Sequence, residues 1–330
     1  MLGVFWSLAM AALFGFSQLA SRKGFTDIAV DQGTFIMIVV STLMMVIPFF
    51  WFNGPALILQ ADLIGLLYFP LAGLIHFVGG LTLTNISIAR VGAARTSSLI
   101  ATTPLFATFL AAITLNELLN VPLVVGVMIV IAGVRLIAVS PPTDEAETQA
   151  DGSSPEPVVE DQPTVPDGVR LGIVANSNGP FGLVGESTFG LLAALSWGFT
   201  PVLIKKGLES LPSPLIGLTL AMASAGLVYI VILAQRGRLA PLFSELGQPG
   251  ALWQIGAGAL VGLGTLCRWI ALSFTTTAMV TTLSRASLLI TVGLAGKLLG
   301  HELEPISGKV RWGAVLIVIG SVVVVLFGRP

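Results

Sequence analysis

Three residues that can carry charge lie deep inside long apolar stretches of this sequence. They are His76, Arg268 and Arg285. An arginine at the centre of a membrane helix costs about 2.5–3.5 kcal/mol, so such residues are rare and functional by default. The planar guanidinium group binds carboxylates and phosphates through paired hydrogen bonds, and the imidazole changes its charge near neutral pH. These residue types therefore predict an anion-binding site, with His76 as a hydrogen-bonding group or as a proton carrier.

The two arginines are expected to lie at similar depth and close to each other. Arg268 comes about seven residues before a predicted turn at Thr275 and Arg285 about ten after it, which puts both roughly 10–15 Å from the turn. No Asp or Glu lies inside a predicted span to offset either charge. One interpretation is that both side chains snorkel to the nearer surface, where water and backbone carbonyls solvate them. The other is a water-filled cavity that receives an anion, with Lys205 and Lys206 at its mouth.

Polar and aromatic residues on three further helices could complete such a site. His76 belongs to a stripe with Gly73, Gly80 and Thr84 at helical spacing. The other predicted substrate-binding residues are Trp6, Phe16, Gln18, Trp197 and Thr200. They would provide apolar walls and a few hydrogen bonds to a small ligand. The alternative for the aromatic residues is ordinary packing or anchoring at the membrane interface.

The elements that position these residues are membrane-spanning helices. Hydrophobic residues make up 55% of the chain, charged residues only 10%, and the mean hydropathy is +0.94, so too little polar surface is present for a soluble protein of this size. The apolar runs are continuous and interrupted by glycine, which favours helices over the alternating strands of a barrel. The sequence therefore predicts an all-α integral membrane protein with ten spans. These spans are 2–20, 32–52, 63–88, 92–115, 121–139, 187–206, 213–235, 252–274, 277–299 and 308–327.

A polar segment divides the ten spans into two groups of five. Residues 140–186 carry nine acidic residues, seven prolines and one cation, Arg170. Such a composition buries too little apolar area to fold, so the segment is predicted to be a disordered, solvated linker. The predicted domains are thus a first five-helix unit at 1–139 and a second at 187–330.

The two units resemble each other in sequence. "FGFSQLASRKGF" at 14–25 aligns with "WGFTPVLIKKGL" at 197–208, with an offset of 183 positions. Near the end of each unit, Gly126 and Gly133 match Gly313 and Gly320 at the same spacing. Because five is odd, the second copy must enter the membrane in the opposite orientation. The sequence therefore predicts two inverted repeats, a site where they meet near the midplane, and alternating access by movement of one repeat against the other.

These motifs also resemble those of a known family. The WGF-type first helix, the proline in "TTPLFATFLAAITLNE" and the glycine-rich helix after that glutamate are similar to the EamA-domain permeases of the drug/metabolite transporter superfamily. The resemblance covers about 2–139 and 187–327, although Leu289 stands where the first copy has Pro104 and the linker is longer than expected. It implies a secondary transporter, often an exporter of amino acids or related metabolites, whose central cavity is lined mainly by the first, third and fourth helices of each unit.

Other functional classes find little support in the sequence. His301 in "GHELE" does not complete an HExxH zinc motif, no Walker loop occurs, and "GAGALVG" at 256–262 fits helix packing through Gly258 and Gly262 better than a dinucleotide loop. Cys267 is the single cysteine, so neither a disulfide nor a cysteine metal site is possible within the chain. A net charge of −1 gives no reason to expect nucleic-acid binding. We therefore predict no enzyme activity, no catalytic residues, no cofactor and no metal.

The sequence thus predicts an exporter or exchanger of small polar metabolites, such as amino acids or organic anions. The alternatives are a transporter of organophosphates or nucleotide sugars, and a membrane scaffold or sensor that transports nothing. The predicted partners are a small-molecule substrate and the lipid bilayer, with proton coupling through His76 left open against facilitated diffusion or exchange, and with a monomer or homodimer as the assembly. The location is a cell membrane, plasma or inner, in multi-pass form. The positive-inside rule places the termini outside and the resemblance places them in the cytoplasm, which we follow.

Overall fold

The structure is a computed structural model that describes residues 1–52, 54–87, 96, 99–100, 102–117, 120–138, 180–238, 246–291, 294 and 308–327. Within these ranges the regular elements are all helices and no strand occurs. The helices are α1 Leu2–Gly24, α2 Val30–Trp51, α3 Gly54–Gln60, α4 Leu63–Ser87, α5 Thr103–Thr114, α6 Val121–Ala138, α7 Pro180–Ser210, α8 Pro214–Gln235, α9 Pro249–Phe274, α10 Thr277–Leu283 and α11 Gly308–Phe327. After α10 the chain forms a 3₁₀ turn at Ser284–Ala286 and then a further helical stretch at 287–291.

Six of these helices are long and apolar enough to cross a membrane. They are α1, α2, α4, the Thr188–Ser210 part of α7, α8 and α9. Shorter apolar helices lie at Thr103–Thr114, Val121–Leu136 and Val315–Val324. Parts of the predicted spans 92–115 and 277–299 lie outside the described residues, so the count of ten stays a prediction. The same holds for most of the predicted linker, except that α7 already begins at Pro180, inside its predicted range.

The distribution of side chains is that of a protein surrounded by lipid. Large apolar residues point outward, among them Phe5, Trp51, Leu59 and Trp312, each more than half exposed. Small and polar residues are buried between the helices instead, including Ser7, Thr34, Ser41, Asn85 and Gln254. Lipid chains are as apolar as leucine, so helices associate through close packing and interhelical hydrogen bonds. The all-helical, integral multi-pass membrane protein that the composition predicts is confirmed.

Glycines set the closest helix contacts. A Cβ on Gly258 of α9 would lie 2.8 Å from the Met37 Cα of α2, and one on Gly262 would lie 3.2 Å from the Ser41 Cα. The Ser41 hydroxyl also donates to the Gly258 carbonyl at 2.6 Å, which the short separation makes possible. The packing role predicted for the 256–262 stretch is therefore confirmed.

Side-chain caps define the N-terminal ends of several helices. Thr276 accepts a hydrogen bond from the Met279 amide and so caps α10, and Ser213 does the same for α8 through the Ile216 amide. Asp62 caps α4 by accepting from the Gly65 amide. Such side-chain caps satisfy amides that have no partner within the helix. With the Thr276 cap, α10 begins at Thr277, soon after α9 ends at Phe274, so the turn between these two helices is short.

Candidate functional site

A central cavity lies among α1, α4, α7, α9 and the turn after α10. Its volume is about 890 Å³, part of it open to the outside of the protein. The polar lining includes Gln18, His76, Asn85, Thr265, Arg268 and Arg285. Phe14, Phe77, Leu81, Val261 and Leu288 provide apolar walls. The cavity therefore joins side chains from both halves of the chain in one polar space inside an apolar helix bundle.

Arg268 is almost fully buried in α9, with 6% of its surface exposed. Its Nη2 donates to the Trp197 carbonyl of α7 at 3.2 Å. Its Nε is buried and, within the described part of the chain, has no hydrogen-bond partner. Among the described residues this buried donor is left without an acceptor, which costs free energy.

Arg285 lies on the 3₁₀ turn that interrupts the helix after α10. Its Nη1 donates to the Ile100 carbonyl at 3.2 Å, while Nε and Nη2 donate to the Ser284 hydroxyl at 3.2 and 3.0 Å. The tighter turn presents Ser284 and Arg285 to the same cavity. Arg268 lines this cavity as well. The structure thus places both arginines, which the sequence predicts to be neighbours, around one cavity.

The two cations are not balanced by a carboxylate. Among the described residues that line the cavity, none is Asp or Glu. Two described carboxylates form ion pairs with residues that do not line the cavity. Asp31 binds Arg238 through both oxygens at 2.8 Å, and Glu117 binds Lys205 at 2.6 Å. Carbonyl and hydroxyl dipoles therefore stabilise Arg268 and Arg285. Snorkelling and an anion-receiving cavity both stay predictions.

His76 faces the same space from a π-helical segment of α4, Leu74–Leu81. Its ring is stacked on Trp197, with centroids 5.8 Å apart, and meets the edge of Phe77 at 4.7 Å. The Trp197 indole donates to the His76 carbonyl at 3.3 Å, and the imidazole Nδ1 is buried without a described partner. Single π-helical turns often occur at functional sites because the extra residue re-aims the side chains.

Gly80 is required for that arrangement. A Cβ at this position would lie 2.2 Å from Trp197 Cδ1 and Nε1, so only glycine lets the indole pack this close to α4. The stripe of Gly73, His76, Gly80 and Thr84 predicted from helical spacing is thus divided. Gly73 and Gly80 provide contact with neighbouring helices, whereas His76 and Thr84 line the cavity.

Gln18 is the predicted residue of α1 that reaches the cavity. Its amide oxygen accepts from the Thr291 hydroxyl at 3.3 Å. Asn85, which the sequence analysis did not single out, lines the same space and donates to the Thr34 hydroxyl at 2.6 Å. Thr265 and Ser287 also line the cavity and were not predicted from the sequence. A polar residue inside an otherwise apolar span is the signal that would have found all three.

Three predicted site residues do not line this cavity. Phe16 is 43% exposed on the outer side of α1, and Trp6 packs against Phe5 with ring centroids 5.4 Å apart. Thr200 is fully buried, with its hydroxyl donating to the Ser196 carbonyl of its own helix at 2.7 Å. Trp6 and Thr200 are thus engaged in contacts within the protein and Phe16 faces outward. A substrate-binding role for these three residues stays a prediction.

The lysines predicted at the cavity mouth are also placed elsewhere. Lys206 faces Glu209 at 3.5 Å on the surface of α7. Lys205 binds Glu117, whose carboxylate also accepts from the Thr277 amide, at 3.0 Å, and from the Thr277 hydroxyl. Glu117 thereby ties the end of α5 to α7 and to the start of α10.

Comparisons with known proteins agree with this architecture. The chain matches the EamA-like transporter family over residues 1–139 and 186–326. No curated protein matches it. Among solved structures it is similar to a protein crystal structure with a TM-score of 0.68 and 14% sequence identity, covering 98% of this chain and 96% of the other. That identity is too low to support more than a common fold. Because the family match covers both halves of the chain, this protein belongs to the EamA-like transporter family, whose members are transporters and not enzymes.

Proposed function

We propose that this protein is a secondary transporter of small polar metabolites, such as amino acids or organic anions, working as an exporter or exchanger. The observation that carries the proposal is the central cavity, in which Arg268 and Arg285 of the second half face Gln18 and His76 of the first. Buried polar groups between membrane helices commonly mark a substrate pathway. A ligand that contacts both halves would couple its own passage to their relative movement.

Packing between α6 and α11 supports an inverted repeat. A Cβ on Gly126 would lie 2.9 Å from the Gly320 carbonyl, and one on Gly133 would lie 2.6 Å from the Gly313 carbonyl. In the sequence alignment Gly126 corresponds to Gly313 and Gly133 to Gly320. The counterparts of Gly126 and Gly320 are therefore Gly313 and Gly133, which also contact each other, and this is the pattern that a two-fold axis produces. Because the earlier glycine of α6 meets the later glycine of α11, and the later one meets the earlier, the two helices run antiparallel.

A second pair of contacts follows the same rule near the cavity. Trp197 packs on Gly80, and Phe14 packs on Gly264, where a Cβ would lie 2.9 Å from its ring. Phe14 and Trp197 are the aligned residues that begin the two repeated motifs. The first helix of each repeat thus packs against the third helix of the other. With the predicted spans 92–115 and 277–299 as fourth helices, this favours two inverted five-helix repeats.

The position of the cavity favours alternating access. Its lining extends to Ser21 and Asn85, near the ends of α1 and α4, and so toward one face of the bundle. On the other face, where α1 begins, Glu117 joins α5 of the first repeat to α7 and α10 of the second. The described arrangement fits a state that is open on one side and closed on the other. Movement of one repeat against the other would exchange the two sides.

Transport by purified protein is the direct test. We would reconstitute it in liposomes and measure counterflow of a panel of radiolabelled amino acids, organic anions, organophosphates and nucleotide sugars. At least one should exchange faster than in empty liposomes, and an Arg268→Gln, Arg285→Gln double variant should lose that exchange. A folded protein that moves no member of the panel would instead favour the scaffold or sensor alternative. The panel also separates a transporter of amino acids or organic anions from one of organophosphates or nucleotide sugars. A plasma or inner membrane location and a monomeric or homodimeric state belong to the proposal, with proton coupling and facilitated diffusion or exchange as alternatives.

A further inference from the structure

We infer that the substrate is a small dianion, a dicarboxylate or a phosphate monoester, and that zwitterionic amino acids are poor ligands. This inference rests on the proposed transport function and specifies the substrate class of the same cavity. The ligand would place one anionic group at Arg268 and the other at Arg285.

The charge balance of the cavity is the first support. Two arginines line it, and no Asp or Glu does so among the described residues. The described carboxylates have other positions: Asp31 and Glu117 are in ion pairs, Asp62 caps α4, and Asp27 and Glu209 are exposed. Within the stretches 88–101 and 292–300, which adjoin the cavity helices in the chain, the sequence contains no Asp or Glu either. An entering ligand would therefore supply the negative charge that the described lining lacks, with one anionic group for each of Arg268 and Arg285.

The donor geometry is the second support. Each guanidinium group has five N–H donors in a fixed plane. Arg268 uses one described hydrogen bond, to the Trp197 carbonyl, and its buried Nε has no partner. The bonds of Arg285 end on a hydroxyl and a carbonyl, which are neutral acceptors. A carboxylate or phosphate carries a full negative charge and can form two parallel hydrogen bonds with a guanidinium group, which these neutral acceptors do not provide.

A free ammonium group, by contrast, would find only neutral acceptors among the described residues of the cavity, such as the amide oxygens of Gln18 and Asn85. It would stand near two cations, and the Trp197 carbonyl that could accept from it is already bound by Arg268. The aromatic surfaces are also partly occupied, since His76 stacks on Trp197 and meets the edge of Phe77. Cation–π binding needs an open ring face. A zwitterion would therefore satisfy one arginine at the cost of repulsion from the other.

The rest of the lining fits a short ligand with polar ends. The hydroxyl groups of Ser284 and Ser287 and the amide of Gln18 lie around the arginines. The Ser284 hydroxyl already donates to the Thr281 carbonyl, whereas the Ser287 hydroxyl and the Gln18 amide nitrogen are able to donate to the remaining oxygens of a carboxylate or phosphate. Phe14, Val261 and Leu288 form apolar surface for a carbon backbone of a few atoms.

The test measures binding and transport separately. Equilibrium binding of succinate, glycerol 3-phosphate and threonine to the purified full-length protein would be followed by calorimetry, and their counterflow in liposomes would be followed with radiolabel. Either dianion should bind at least tenfold more tightly than threonine, and the two arms distinguish carboxylate from phosphate recognition. Single Arg268→Gln and Arg285→Gln variants should each weaken dianion binding at least tenfold. The matched control is Arg135→Gln, the same change at an exposed position of α6, which should leave binding unchanged.

The outcomes separate the two proposals. Arginine-dependent dianion binding without counterflow would support the inference while contradicting the transport function. Counterflow of threonine faster than that of both dianions, unaffected by either arginine variant, would overturn the inference while supporting transport. If neither dianion bound the protein, the inference would also be overturned, whatever else was carried. Retained thermal stability of the variants in detergent would exclude misfolding as the cause of lost binding.

Discussion

At the scale of single residues, the stabilisation of the two cavity arginines is unequal. Burying each one costs about 2.5–3.5 kcal/mol, and a hydrogen bond to a charged group contributes about 1.5–3 kcal/mol. The three described bonds of Arg285 offset that cost, whereas the single bond of Arg268 to the Trp197 carbonyl does not fully do so. Arg268 is therefore the residue for which a bound anion would contribute most.

His76 is expected to act through packing and hydrogen bonding rather than as a proton carrier. Both described contacts of its ring are with aromatic residues, and the charged groups that share its cavity are Arg268 and Arg285, neither of which accepts a proton. A His76→Gln variant should raise the apparent KM a few fold, because the stacked ring is lost, while the pH profile of transport keeps its shape. Rates of counterflow between pH 5.5 and 8.5 would measure this. A flat profile in the variant against a sloped one in the original protein would assign His76 to proton coupling.

At the scale of helices, one carboxylate organises a junction of three elements. Glu117 follows Asn116, whose positive φ of 51° turns the chain after α5. Asparagine adopts this left-handed conformation more readily than most residues. The turn brings the Glu117 carboxylate to the Thr277 amide at the start of α10 and to Lys205 on α7. A negative charge at a helix N-terminus is favourable, so the junction stabilises α10 as well as the contact between repeats.

The glycine contacts between α6 and α11 should be sensitive to a single methyl group. In Gly126→Ala and Gly320→Ala, the new Cβ would meet a backbone carbonyl of the other helix within 3 Å. We expect each to lower the free energy of unfolding by about 1–3 kcal/mol, the usual cost of overpacking. Gly256→Ala is the control, since nothing lies within 4 Å of its added Cβ, and it should be neutral or slightly stabilising. Unfolding in a denaturing detergent would measure all three. Equal stability of the three variants would contradict the close approach.

At the scale of the whole molecule, alternating access predicts that one cavity residue is reached from both sides of the membrane. Cys267 is the single cysteine, so a Cys267→Ser background allows Gln18→Cys to be labelled alone. A membrane-impermeant maleimide should react with this cysteine from either face, faster from the face where α1 ends, because the cavity extends that way. Labelling in right-side-out and inside-out vesicles would measure the two rates.

The same experiment distinguishes a transporter from a fixed binding protein. A saturating substrate should change the ratio of the two labelling rates, since it stabilises the state that binds it best. Labelling from one face only, with and without substrate, would indicate a pocket that never changes sides, as in a sensor. In Gly256→Cys the new side chain has nothing within 4 Å inside a membrane span, so it should stay unlabelled from both faces and controls for reagent that enters the bilayer.

The sequence by itself determined the class of the protein and the residues that matter most. Continuous apolar runs can only be membrane helices, since the backbone must satisfy its own hydrogen bonds in lipid. The high cost of a buried charge made His76, Arg268 and Arg285 stand out without any structure, and all three line the cavity. The repeat was visible because matching residues such as Gly126 and Gly313 keep their spacing in both halves.

Only the tertiary structure decided which face of each helix meets the cavity. Gln18 lines it, whereas Phe16, two residues away and so about 200° around the same helix, points outward. In a soluble protein a broad polar face would mark the outer side of each helix, but in a membrane the lipid side and much of the packed side are apolar, so few residues in a helix mark its inner face. The partner of Lys205 was equally undetermined, because Glu117 reaches it only through the turn at Asn116. Long-range contacts of this kind depend on how helices from the two halves pack, which local spacing does not encode.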